Sequence, residues 1–296
     1  MIALAIDDRT FAAAILDDGG DFILRATCPA PVTDYRDWLV AIRDLVAGMA
    51  GASPNLPVAV ALPAIISAGR MTITPLATVA GSDLRRDLQS TLSRKVFLTG
   101  FGDALAAYHA TATDTPDPLV ALWIGESCHG GLVANGGVVT GAHGGAMNWA
   151  HLQLPAPVPH ELDGRPCWCG RNGCLETFLS TTGLEEDYER VTGDRRTTAQ
   201  IAAAATGNDI VAESVIQVFE DRLGRATAAM INLIDPGTII LGGDTPMPER
   251  MRERVPRKWP GYVQIDRSNT RLVVCSAGHD ALIAGAAIRA AAPQAD

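Results

Sequence analysis

Aromatic residues are scarce in this chain: Phe, Trp and Tyr together make up 5% of its 296 residues. Its cores must be tight and built from aliphatic and small side chains, for which hydrophobic residues at 47% suffice. A basic face is missing too. The net charge is −9, which argues against a nucleic-acid footprint, because neutralising phosphates takes clustered lysine and arginine. No apolar run reaches the ~18 residues that suggest a membrane span. No basic segment followed by a cleavage site opens the chain, which goes straight into the strand-like Ile2-Ala-Leu-Ala-Ile6. A cytoplasmic protein with neither membrane nor nucleic acid as partner is expected. Cysteines number six and do not suggest a disulfide framework. Three cluster between 167 and 174, while Cys28, Cys128 and Cys275 are scattered, as small buried hydrophobes would be.

The cluster is the densest chemistry in the chain. Cys167-Trp-Cys-Gly-Arg-Asn-Gly-Cys174-Leu-Glu176 places three thiols within eight residues, with two glycines that let the backbone fold back between them. A disulfide across one intervening residue is geometrically awkward, so Cys167 and Cys169 are poor partners for each other. They can instead present two thiolates to one cation. A structural zinc site wants four such ligands in a tetrahedron, and Cys174 supplies a third. The fourth must come from elsewhere, and His151 and His160 lie upstream. Glu176 then opens a helix, where a carboxylate is favoured by the dipole.

Strand and helix signals alternate along the rest of the chain. Ile2–Ile6, Phe11–Leu16 and Phe22–Arg25 read as strands joined by polar turns. Tyr35–Met49 has helical spacing, Pro54 to Pro57 breaks the chain, and Val58–Leu62 is a buried strand. A strand at Met71–Pro75, a helix from Asp83 capped by Ser82, and a strand at Val96–Thr99 follow. Gly102-Asp103-Ala104-Leu105 turns into a helix, for which Asp103 would serve as a cap. The Pro/Asp-rich stretch 114–118 reads as a boundary between an N-terminal lobe, 1–113, and a C-terminal lobe, 114–296. Beyond it come a strand at Leu119–Ile124, a Leu132–Thr140 hairpin turning at Asn135-Gly-Gly137, and an exposed charged stretch, Glu185–Gly193. Helices at Thr197–Ala205 and Val211–Ile234, strands at Thr238–Leu241 and Leu272–Cys275, and a final helix from Asp280 to Ala291 complete the reading.

CWCGRNGCLE resembles the Cys-x-Cys-Gly-x-x-Gly-Cys-x-Glu signature of the ROK family, which holds bacterial sugar kinases, sugar-responsive repressors and uncharacterised relatives. The resemblance implies an α/β, two-lobed, actin-like ATPase (ribonuclease H-like) fold with a zinc knuckle, the final helix packing back on the N-terminal lobe. It also implies a kinase that phosphorylates a hexose or N-acetylhexosamine with Mg²⁺ and ATP. The family's repressors carry a winged helix ahead of this region, and no such segment is expected here. Relatives are often dimers, so a homodimer is implied as well. By the same resemblance Asp103 is the catalytic base, since kinases of the family read Asn-Asp-Ala-Asn there; Gly102 and Leu105 replace the two asparagines. Asn148, His151 and Glu176 are implied in sugar binding, with Asn148 standing where the family has Glu. His151 is the preferred fourth zinc ligand, and His160, nearer to Cys167 in sequence, is the competitor.

Nucleotide contacts carry over onto Asp7, Arg9, Thr10, Gly125, Ser127, Gly130, Gly131, Gly242 and Gly243. Both phosphate loops depart from the family pattern. Asp-x-Gly-Gly-Thr becomes Asp7-Asp8-Arg9-Thr10, and Gly-Thr-Gly-x-Gly-Gly-Gly becomes Gly125-Glu-Ser-Cys-His-Gly-Gly131. Glycines that permit close phosphate approach are gone, and Asp8 and Glu126 add negative charge. The alternative expectation is therefore a catalytically inactive sugar-binding or regulatory protein on the same scaffold. His129 and His143 are expected to be loop residues without a role.

Overall fold

The computed structural model describes residues 1–31, 34–49, 55–111, 116–162, 164–264 and 269–292. The break expected at Pro54 and the boundary expected at 113/114 lie outside the described residues. The chain forms two compact units. One comprises Met1–Thr113, Gly131–Met147 and Ala277–Asp296, and the other Asp114–Gly130 and Asn148–Ser276.

In the first unit β1 (Ile2–Ile6) is buried along its whole length and pairs antiparallel with β2 (Thr10–Leu16), which pairs antiparallel with β3 (Phe22–Pro29). α1 (Tyr35–Met49) buries Trp38, Ile42, Val46 and Met49 along one face. β4 (Val58–Leu62) joins β1 in parallel, with Ile2 beside Val58 and Leu4 beside Val60. Continuous aliphatic runs suit strands covered on both faces. β5 (Ile65–Ser67) and β6 (Arg70–Ile73) form a separate hairpin, of which only the second strand was legible as Met71–Pro75. α2 (Leu84–Leu92) is capped by Asp83, whose carboxylate accepts from the Arg86 amide at 3.4 Å. Ser82, the expected cap, donates its hydroxyl to the Val79 carbonyl at 2.7 Å instead. β7 (Val96–Gly100) completes the sheet order β3-β2-β1-β4-β7 and runs directly into α3 (Phe101–Ala110).

In the second unit β8 (Leu119–Ile124) is wholly buried. β9 (Cys128–Ala134) passes at Gly131 into the first unit, where Val133 and Ala134 pair with β10 (Gly137–Val138) across the Asn135-Gly136 turn. α4 (Glu176–Leu179) follows the cysteine cluster. The stretch 185–193, expected as an exposed charged segment, is the C-terminal part of α5 (Thr181–Thr192) with its cap, Gly193: Ser180 caps the other end by accepting the Gly183 amide, and Leu184 and Tyr188 are buried, so its charges are the outer face of an amphipathic helix. α6 (Thr198–Thr206) starts with a Thr197/Gln200 capping box, and α7 (Ile210–Ile234) is capped by Asp209. β11 (Thr238–Gly243) lies parallel to β8, and β12 (Arg271–Val274) is parallel to β11 on its other side. Between them, α8 (Pro248–Arg254) and a 3₁₀ stretch, Val255–Gly261, were not foreseen. α9 (His279–Ala291) belongs to the first unit and packs on α3, β1 and β4.

A buried ion network ties the approach to the cysteine cluster into the second unit. Glu161 accepts from Arg222 Nε at 2.8 Å and from Arg225 Nη2 at 2.9 Å, all three side chains being nearly inaccessible. Asp187 of α5 accepts from both Arg165 and Arg222. Arg165 also donates to the Thr177 carbonyl at 2.8 Å, beside Glu176. Burial raises the Glu161 carboxyl, but the two guanidiniums outweigh it and hold it down to about 2. The stability this ionised group contributes is present above its ordinary value of 4.5 and is lost as pH falls toward 2. Arg222→Ala strands buried charge, and a loss of about 3–5 kcal/mol in urea unfolding at neutral pH is expected. An unchanged midpoint would show the network to be energetically idle.

Candidate active site

The first unit contributes two carboxylates. Asp7 closes the turn between β1 and β2: its Oδ1 accepts the Arg9 amide at 2.9 Å and the Thr10 amide at 2.7 Å, and its Oδ2 lies 3.1 Å from His279 Nε2 on α9. Burial pushes the Asp7 carboxyl up, but His279 and the two amides outweigh it and leave it below the ordinary value, so Asp7 is ionised at neutral pH. Two amides of the turn thus point at its own aspartate. Asp8, exposed beside it, is raised by desolvation and by the Asp7 charge.

Asp103 lies within the first turn of α3. The cap of that helix is Gly100, so Asp103 is not the cap the local sequence allowed. It is half-buried, and burial pushes its carboxyl up to about 6, with the Arg289 charge on α9 pulling the other way. A carboxylate tuned there is ionised at neutral pH yet basic enough to take a proton in a transition state.

In the second unit the cysteine cluster folds as the spacing suggested. The Cys167 amide donates to Arg171 O at 2.8 Å and the Gly170 amide to Cys167 O at 2.9 Å. Gly170 and Gly173 stand at φ +84° and +71°, the left-handed backbone that glycine adopts without strain. Trp149 and Ala150, both buried, anchor a 3₁₀ turn, Trp149–His151, that presents the histidine. His151 Nδ1 lies 3.6 Å from Cys167 Sγ, and Cys169 Sγ lies 3.7 Å from Cys174 Sγ. The ligand atoms of His151, Cys167, Cys169 and Cys174 all fall within 4.8 Å of one another. Sulfurs on a tetrahedral zinc ion at ~2.3 Å stand roughly 3.8 Å apart, so this donor set fits such an ion. His160 is exposed on the 3₁₀ turn Pro159–Glu161 and is not in the cluster.

Glu176 follows at the start of α4, buried. Its Oε2 accepts the Cys128 amide at 2.9 Å, and its Oε1 accepts the Trp168 indole N–H. Burial raises its carboxyl, and those two donors partly offset the rise. A cavity of about 150 Å³ opens beside it, walled by Glu126, Pro166, Cys167, Trp168 and Glu176 among others. Asn148 is exposed at the head of the 149–151 turn.

Ser127, in the turn after β8, and His129, which lies on β9 and not in the loop expected for it, form a pair that the sequence did not announce. Ser127 Oγ and His129 Nε2 are hydrogen-bonded at 2.7 Å. Burial, with His151 adding to it, pushes His129 down to about 3, so the imidazole is neutral. Histidine in a glycine position was the available signal. In the first unit, a Cβ on Gly131 would lie 2.1 Å from the Gly102 carbonyl, so close approach to α3 demands glycine there. Gly125 is buried, Gly130 half-buried, and Gly242 and Gly243 end β11.

The ROK family model matches residues 1–292 of the chain. The chain is 28% identical over 272 residues to an N-acetyl-D-glucosamine kinase of Vibrio atlanticus (strain LGP32), covering 88% of this chain and 89% of that one. It resembles the crystal structure of a ROK family glucokinase from Streptomyces griseus in complex with glucose and AMPPNP at 20% identity, with a TM-score of 0.83 over 97% of both chains. The ROK hexokinase from Thermus thermophilus matches at 23% identity and a TM-score of 0.78, over 97% of this chain and 96% of that one. The fold is thus the α/β, actin-like ATPase fold of these structures.

Proposed function

Because the chain belongs to the ROK family, we propose that it is an ATP-dependent kinase of a hexose or N-acetylhexosamine. N-acetyl-D-glucosamine is the first sugar to try, since the Vibrio relative bears that activity in its name. The observation that carries the reading is Asp103, a half-buried carboxylate with its pKa lifted to about 6.

In this reading a sugar hydroxyl attacks the γ-phosphorus of ATP, the bond to the ADP oxygen breaks, and Asp103 takes the hydroxyl proton. Glu176, fixed by Cys128 and Trp168, keeps lone pairs for sugar hydroxyls, and Asn148 offers a donor and an acceptor. His151, Cys167, Cys169 and Cys174 would hold a structural zinc that fixes the loop leading to Glu176. Asp7 is the carboxylate that would face the Mg²⁺ carried with ATP. Phosphate and nucleoside contacts fall to Arg9, Thr10, Gly125, Ser127, Gly130, Gly131, Gly242 and Gly243. The neutral His129 orients the Ser127 hydroxyl without adding charge.

The test is ADP release with MgATP against a panel of hexoses and N-acetylhexosamines. Sugar-dependent turnover supports the kinase; silence with every sugar, together with no ATP binding by calorimetry, overturns it in favour of a non-catalytic sugar-binding scaffold. Glu176→Gln keeps the shape of the side chain but removes its charge. Its sugar KM should rise about 10–100-fold, the worth of a hydrogen bond to an ionised acceptor. An unchanged KM would remove Glu176 from the sugar site.

A further inference from the structure

Tryptophan 168 stands apart from the other tryptophans of the chain. Trp38, Trp123, Trp149 and Trp259 are 1%, 5%, 1% and 6% exposed, whereas Trp168 is 45% exposed. Leaving so much indole in water forgoes hydrophobic stabilisation. The ring is nonetheless held in place. Its Nε1–H donates to Glu176 Oε1, and its ring makes a T-shaped contact with that of His151, centroids 4.9 Å apart at 77°. One side chain thus bridges a member of the metal-binding cluster and the carboxylate assigned to sugar hydroxyls. It also walls the 150 Å³ cavity together with Glu126, Pro166 and Glu176. The family signature leaves this position open between its first two cysteines, so the indole is this chain's own choice.

We infer that Trp168 is a sugar-binding and specificity-determining residue, an aromatic platform that stacks on the C–H face of a pyranose while Glu176 accepts its hydroxyls. This inference rests on the sugar-kinase reading. A pyranose is amphipathic: ring hydrogens make an apolar face, and equatorial hydroxyls project around the rim. An indole that walls a cavity rimmed by carboxylates offers both halves of that chemistry. The platform is preorganised by its hydrogen bond to Glu176, so little side-chain freedom is lost on binding. An axial hydroxyl on the stacked face would set a polar group against the ring without a partner, which selects flat, all-equatorial sugars over their axial epimers.

The exposure contrast supplies the experiment. Acrylamide quenching of the zinc-loaded wild-type protein reads Trp168 almost alone, because the other indoles are buried. Adding N-acetyl-D-glucosamine, or glucose, should protect it. By calorimetry Trp168→Ala should weaken binding of the sugar about tenfold and narrow the preference over the 4-epimer, whereas Trp168→Phe should keep most of the affinity. Zinc content and melting temperature of both variants separate a lost platform from a collapsed loop. Sugar binding with unprotected fluorescence, or a Trp168→Ala protein of full zinc content and unchanged affinity, overturns the inference and leaves the kinase reading standing. No binding of any sugar by the wild-type protein overturns both.

Discussion

Asp103→Asn is expected to lower kcat by about 10²–10⁴-fold while leaving the sugar KM within a few-fold, the signature of a lost general base. Asparagine keeps the volume and one acceptor but takes no proton. The pH dependence makes the assignment specific. The wild-type carboxyl titrates near 6 because burial raises it, partly offset by Arg289. The base works only when ionised, so the rate should fall on the acid side of about 6 and level off above it. Arg289→Gln removes the offsetting charge and should move that limb to higher pH. Stability runs the other way. A carboxyl whose folded pKa lies above its ordinary 3.8 favours the fold fully below that value and progressively less as pH rises through 6. Asp103→Asn should therefore melt higher than wild type at pH 8, with the gap closing toward pH 4. Retention of full turnover in the variant, or an acid limb that stays put without Arg289, would take Asp103 out of the base's role.

The parts of this fold that were legible in the sequence are those whose signal is local. β1, β4 and β8 are unbroken apolar runs, and the structure buries each of them end to end. The knuckle was legible because its three cysteines and its left-handed glycines lie within eight residues. What escaped depends on partners far along the chain. α5 looked like exposed charge because Asp187 finds Arg165 and Arg222 only after folding. The bond from the Cys128 amide to Glu176 joins the start of β9 to the signature glutamate, and no spacing rule announces it. The His129–Ser127 pair was overlooked for a different reason: His129, standing in a glycine position, was expected in a loop but lies on β9, where burial decides its charge. The choice between His151 and His160 was open in sequence, and the turn anchored by Trp149 decides which one meets the thiols.

Loss of the zinc proposed for the cluster should be the most damaging change available to the second unit. Apparent binding free energies of structural zinc reach about 10–16 kcal/mol in small zinc domains, all of it linked to folding. If about 4 kcal/mol of such linkage operates here, stripping the ion lowers Tm by roughly 8–16 °C. The cost should not stay local. A single residue, Leu175, separates Cys174 from Glu176, and its amide donates to Leu152 O at 2.8 Å, next to His151. Without an ion the thiols lose their common partner, and the segment that aims Glu176 loses its anchor. Protein purified without chelator should carry one zinc per chain by elemental analysis. Cys174→Ser should lose it together with at least about tenfold in sugar affinity. Cys28→Ser, on β3 and outside the cluster, should keep both. The decisive comparison is between affinity and metal content: a zinc-free protein that binds sugar at wild-type strength and melts at the wild-type temperature would reduce the cluster to a reduced cysteine turn. Loss of sugar binding that returns on adding zinc would establish that the ion holds the carboxylate in place.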